Sequence, residues 1–122
     1  MKIKVIGRPF TVCKVDSLDK IDFTDKYCFV GKTDEEISLI CSTKHAPAET
    51  ISRSDGWRGF RLQGQMDFSL VGVLAELTGI LAGNKISLLA VGTYNTDYVL
   101  VKEDDLEKAL LILEDQDYKI IR

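Results

Sequence analysis

A chain of 122 residues that is 45% apolar can bury a core without disulfide or metal staples, as one domain or two very small ones. Its formal net charge is −3, and the excess lies in the C-terminal part: the first 57 residues carry nine basic and nine acidic side chains, the remaining 65 seven and ten. That balance argues against nucleic acid, whose phosphates require a basic face, and no window approaches the ~20 apolar residues of a membrane span.

The N-terminal half reads as β-rich and irregular. The opening MKIKVIGRPF places charges among its apolar residues and has no long apolar run, so it is not a signal peptide. Lys2–Ile6 alternates Ile3 with Val5, Gly7-Arg8-Pro9 is expected to turn the chain, and Phe10–Val15 continues as strand. Leu18–Asp25 fits a short helix or a loop. Tyr27–Val30 and Glu36–Cys41 are two further strands around the polar connection Gly31-Lys32-Thr33-Asp34-Glu35. Thr43–Gly56 is polar, contains Pro47 and reads as a linker. Cys13, Cys28 and Cys41 are odd in number and widely spaced, and His45 is the only histidine. No tight ligand pair exists for zinc, so free buried thiols in a reducing cytoplasm, with no metal and no cofactor, are expected.

The C-terminal half is more regular. Trp57–Gln63 alternates Trp57, Phe60 and Leu62 with Arg58, Arg61 and Gln63 and predicts a strand. Leu70, Val73, Leu74, Leu77, Ile80 and Leu81 recur at helical spacing, with Asp67 or Ser69 as the cap and Gly83-Asn84 as the stop. Ile86–Val91 and Tyr98–Val101 are uniformly apolar strands. Asp104 stands three residues before Glu107, a capping-box spacing ahead of Leu106, Ala109, Leu110 and Leu113. Tyr118–Ile121 is the last strand. The order strand-helix-strand-strand-helix-strand is the split βαβ, ferredoxin-like arrangement, an α+β fold with both helices on one face of a four-stranded antiparallel sheet. The expected units are therefore 1–56 and 57–122, the first resembling a degenerate half-copy of the second.

Six residues, Gly92 to Asp97, separate two strands that a two-residue turn would join. A strand that ends in Gly92-Thr93 and restarts at Asp97 presents amides, two hydroxyls and a carboxylate at one end of the sheet. The helix start near Asp67 and Ser69 exposes unpaired N–H groups that favour anions. A zwitterion with its carboxylate on those amides and its cation on Asp97 is a free amino acid. The same residues also suit an ordinary turn, with Asp97 bonded to its own backbone.

These residues carry a resemblance. Trp57, Gly64-Gln65-Met66-Asp67-Phe68-Ser69, Gly72 and Thr93-Tyr94-Asn95-Thr96-Asp97-Tyr98, with Lys32–Cys41 in the N-terminal half, are similar to small bacterial ACT-domain proteins related to the CASTOR arginine sensors. The resemblance covers nearly the whole chain and is densest from Trp57 to Lys102. It implies two ACT-like units packed together, with an amino acid between them. It places Thr93, Tyr94, Asp97, Gly72 and Asp67 at the ligand, Asp97 taking the cationic group, and Ser38 and Leu39 as contacts from the other unit. Gly92 departs from the serine usual at its position. The expectation is a non-catalytic, cytoplasmic regulatory or sensor protein whose partner is a small-molecule amino acid, with no nucleic acid and no membrane; edge-to-edge pairing of such domains implies a homodimer. The alternative is a protein–protein interaction or dimerisation module without a small ligand. Gly7-Arg8-Pro9 is too short for a phosphate loop and His45 has no nucleophile and acid to complete a triad, so an enzyme is not expected. Arg58-Gly59-Phe60-Arg61-Leu62 faintly echoes an RNA-recognition strand but lacks its full signature.

Overall fold

The computed structural model describes residues 1–63 and 72–122. Its elements run β1 (Lys2–Val15), β2 (Cys28–Lys32), β3 (Ile37–Ser42), β4 (Ser52–Gln63), α1 (Val73–Gly83), β5 (Leu88–Gly92), β6 (Asp97–Lys102), α2 (Leu106–Asp115) and β7 (Lys119–Ile121), with single 3-10 turns at Leu18–Lys20, Thr43–His45 and Glu103–Asp105. The chain divides into two compact units. The C-terminal unit comprises Met1–Gly7 and Arg58–Arg122, and the N-terminal unit comprises Arg8–Trp57. The first seven residues thus join the later unit, whereas the sequence reading drew a single boundary at 56/57.

The reason lies in β1. Gly7-Arg8-Pro9 does not turn the chain: Lys2–Val15 is one strand of 14 residues. Lys2–Lys4 pairs in parallel with Lys119–Ile121, and Phe10–Val15 pairs antiparallel with Ile37–Ser42. Pro9 falls between those two pairing stretches, so its missing N–H costs no bond in the β1–β3 or β1–β7 ladder. In the C-terminal unit the strand order is therefore β7-β1-β4-β6-β5, five strands rather than the expected four, and the β1–β7 pair is parallel. The order of β4-α1-β5-β6-α2-β7 along the chain is the ferredoxin-like one.

The core of this unit follows from strand alternation. Ile3 and Val5 of β1, Phe60 and Leu62 of β4, and Val99 and Val101 of β6 are every-other residues, so each set lies on one face. Leu77 and Leu81 of α1 and Leu106, Ala109, Leu110 and Leu113 of α2 pack on that face. Four of these six helix residues, Leu77, Leu81, Ala109 and Leu113, have no exposed surface.

The N-terminal unit has the order β2-β3-β1-β4 and a smaller core of Cys13, Val15, Ile21, Leu39 and Cys41. The expected linker shrinks, because β4 begins at Ser52. Ile51 N–H donates to the Lys14 carbonyl (2.8 Å), and Thr11 donates its hydroxyl proton to Asp55 (2.6 Å). Polar side chains that read as loop thus belong to a strand whose polarity is satisfied across the ladder. Asp25, with its carboxylate fully buried, accepts from the backbone N–H groups of Tyr27 and Ser42 and from the Ser42 hydroxyl, and Arg8 stands 3.9 Å away. Burial pushes this carboxyl up, but those hydrogen bonds outweigh it and hold it below the usual range.

Both helix starts differ from expectation. The N-cap of α1 is Gly72, at φ 88°, a left-handed conformation that suits glycine, and it supplies no side-chain cap. Asp67 and Ser69, the expected caps, lie outside the described residues. In α2 no capping box forms: Asp105 is the N-cap without a side-chain bond, and Glu107 instead holds Arg122 in a two-pronged ion pair of 2.8 and 2.9 Å.

Candidate functional site

The six-residue interval resolves into a four-residue loop. Gly92 pairs with Asp97 as the last rung of the β5–β6 ladder, leaving Thr93 to Thr96 outside it. Thr93 closes the loop: its backbone N–H and its hydroxyl both reach the Thr96 carbonyl at 2.8 Å, and its oxygen receives the Thr96 N–H at 3.3 Å. The turn is therefore held by Thr93 and not by Asp97. Asp97 is half-buried, and among the described residues its carboxylate makes no ion pair and no hydrogen bond. Opposite it, a Cβ built on Gly92 would stand 3.3 Å from Asp97 Oδ1, so the glycine leaves that carboxylate lying over bare backbone.

The other expected residues are dispersed. Tyr94 is 88% exposed at the loop tip. Gly72 starts α1, where the Glu76 N–H donates to its carbonyl at 2.8 Å, and as the N-cap it brings no side chain of its own to the first amides. Asp67 lies outside the described residues. Ser38 and Leu39 belong to the N-terminal unit: the Ser38 hydroxyl donates to the Glu36 carboxylate, and Leu39 is 1% exposed in that unit's core. Leu39 can thus offer no side chain to a ligand, and its strand β3 is paired on both edges. His45, which falls in the expected linker, closes a 3-10 turn and bonds Asp22 at 2.8 Å. Asp22 is held down at about 2 by the Thr24 hydroxyl and by His45.

Among the recesses in the C-terminal unit, two bring together polar side chains that sequence reasoning did not single out. One, of about 270 Å³, is lined by Arg61, Leu62, Gln63, Asn95, Thr96 and Tyr98. Its signal was present: Arg61 and Gln63 alternate with the core residues Phe60 and Leu62, so they occupy the opposite face of β4. The other, of about 190 Å³, is lined by Met1, Val73, Glu76, Gln116, Asp117 and Tyr118. There the phenol of Tyr118 donates to Glu76 at 3.1 Å, and burial, followed by that carboxylate, pushes it up to about 12. Among the described residues no group of three or more His, Cys, Asp or Glu side chains is arranged to hold a metal ion. Burial pushes up all three cysteine thiols, Cys41 to about 12, which leaves them poor nucleophiles. No described helix is long and apolar enough to cross a membrane.

The family model for the ACT domain matches residues 52–115, from the start of β4 to the end of α2. The chain belongs to the ACT domain family. It is also similar to subunit 1 of the cytosolic arginine sensor for mTORC1 of Homo sapiens, at 35% identity over 66 residues. That match covers 53% of this chain and spans only 20% of the relative's length. Among solved structures, protein Atu0741 from Agrobacterium tumefaciens superposes with a TM-score of 0.86 at 24% identity, covering 98% of this chain and 91% of that one. An aspartokinase alpha and beta subunit structure superposes at 0.64 and 15% identity, covering 94% of this chain and 96% of that one. Both structural likenesses extend across the two units of this ACT protein, so the fold is shared well beyond the stretch that matches in sequence.

Proposed function

We propose that this ACT protein is a non-catalytic regulatory module that binds a free amino acid through its C-terminal unit. The ligand's ammonium or guanidinium sits on Asp97 and its carboxylate on the first amides of α1. The observation that carries this reading is the Asp97 carboxylate, half-buried and unpartnered among the described residues beside a glycine. Partial burial of a charge without a partner is costly, and a cationic ligand removes that cost. The relative's printed name, an arginine sensor, favours arginine as the first ligand to try. Ser38 and Leu39 receive no role here, since one hydroxyl is spent on Glu36 and the other side chain is core.

The test is a thermal-shift screen of the twenty amino acids followed by titration calorimetry. At a hundredfold excess over the dissociation constant, a ligand specific to the folded state adds about 2.7 kcal/mol. Asp97→Ala should weaken binding roughly ten- to a hundredfold while the circular dichroism spectrum stays unchanged. Equal heats for wild type and variant would remove Asp97 from the site.

One observation favours a second reading. Strand β5, Leu88-Leu89-Ala90-Val91-Gly92, ends the strand order and among the described residues pairs with β6 alone. It carries none of the charges, prolines or bulges that protect sheet edges. A homodimer joined along β5 would follow, and Ala90→Lys would return it to monomer in analytical ultracentrifugation. A monomeric wild type disposes of this reading.

A further inference from the structure

We propose that the recess beside the β5–β6 loop is a separate anion site, which takes a small organic carboxylate of amino-acid size. Among the described residues its lining holds one formal charge, the guanidinium of Arg61, and no carboxylate. Gln63 and Asn95 contribute side-chain amides, so neutral donors flank the single cation. In a chain of net charge −3, that composition singles the recess out. Among the described residues Arg61, like Arg58, has no acidic partner within ion-pair distance, whereas Arg8, Arg53 and Arg122 each have one. Its Nε–H donates to the Gln63 side-chain oxygen at 3.0 Å, which fixes the plane of the guanidinium, and among the described residues its two terminal nitrogens make no hydrogen bond. A planar fork of this kind matches the two oxygens of a carboxylate.

The walls are set by the loop. Thr96 donates its hydroxyl proton to the Leu62 carbonyl at 2.6 Å, tying the start of β6 to the end of β4. The Thr93–Thr96 bonds hold Asn95 at the rim. The volume of about 270 Å³ admits a molecule of a few carbon atoms and no cofactor. The recess is also distinct from the Asp97 position. Successive residues of a strand point to opposite faces, so Asp97 shares the face of the core residues Val99 and Val101, and Tyr98 takes the other. The inference therefore stands or falls apart from the amino-acid reading.

An NMR titration of the full chain with succinate, against sodium chloride at matched ionic strength, tests it. The expected result is a saturable movement of the Asn95 side-chain amide and Arg61 Nε–H signals that chloride does not reproduce. Arg61→Gln should weaken succinate binding roughly ten- to a hundredfold. Asp97→Asn should leave it unchanged. Asn95→Ala, at an exposed loop position, serves as the second variant if Arg61→Gln fails to fold, and it should also weaken binding. No saturable shift beyond chloride, or a shift that survives Arg61→Gln, overturns the proposal. Loss of binding in Asp97→Asn overturns the separation of the two sites.

Discussion

The β2–β3 and β5–β6 hairpins are close to superimposable in design and differ in chemistry. Each is closed by a threonine whose N–H donates to the carbonyl three residues on, Thr33 to Glu36 at 2.9 Å and Thr93 to Thr96 at 2.8 Å. Each loop holds four residues between paired strands, and each second strand runs into a 3-10 turn. The rung at the loop differs: Lys32 faces Ile37 in the first, and Gly92 faces Asp97 in the second. The same backbone therefore presents an aliphatic side chain in one unit and an uncovered carboxylate in the other. A hairpin supplies placement, and one rung decides whether anything can be bound there.

The units diverge further in what holds them. The C-terminal core gathers residues from three strands and two helices, and the N-terminal core is a small cluster beneath a polar network. Leu110→Ala should therefore cost about 4–5 kcal/mol, near the upper limit for such truncations, and Leu39→Ala about 2–3, where fewer neighbours frame the cavity. Urea denaturation of both variants checks this, and equal costs would mean that the units unfold as one body with equivalent cores.

Acid should separate the units next. Asp22, Asp25 and Asp55 in the N-terminal unit are all held below the ordinary carboxylate range, the last by the Thr11 hydroxyl and then Arg53, against an opposing push from burial. A carboxyl depressed in the folded state contributes stability above its unfolded pKa near ~3.9, and loses it as pH falls through the folded value. For Asp22 that lower limit is about 2. Between roughly pH 4 and 2, amide exchange at Thr11 and Ser42 should accelerate before exchange at Val99 and Leu110. Asp25→Asn should cost about 2–3 kcal/mol at neutral pH and flatten that acid response. Simultaneous loss of protection in both units would contradict this.

The threonines offer a finer comparison. Thr33→Val and Thr93→Val each remove hydroxyl bonds from an exposed loop, and should each cost about 0.5–1.5 kcal/mol by urea denaturation. Thr→Ser at either position should cost less than half as much. Gly92→Ser is the smallest change: stability should stay within about 1 kcal/mol of wild type, because the tight neighbour among the described residues is the movable tip of Asp97. Any ligand that uses Asp97 should bind the variant more weakly, since that carboxylate must shift. An unaltered affinity would detach the glycine from the site.

Much of this was legible in the chain itself. Leu77, Leu81, Leu110 and Leu113 announce two helices by their spacing, and Val99 and Val101 announce a buried strand face, because those periods are properties of local backbone geometry. The loop ahead of Asp97 stood out because it interrupts two apolar runs. Arg61 and Gln63 were visible as alternating polar residues, but nothing local told that the Asn95 loop would stand beside them to make a recess. Ser52 to Asp55 read as linker because a strand whose polar side chains bond across the ladder has no apolar pattern to betray it.

The order of elements, the helix faces and the candidate carboxylate thus follow from sequence alone, since each depends on neighbours within a few positions. Three features come only from the fold. β1 lies between β7 and β4, the Gly7-Arg8-Pro9 segment stays extended, and Thr93 rather than Asp97 carries the turn. The first two are settled by partners distant along the chain, and the third because the N–H and hydroxyl of Thr93 both donate to the Thr96 carbonyl, to which a carboxylate cannot donate. Such outcomes depend on which hydrogen bonds and buried surfaces can be satisfied together, and residue order does not state that.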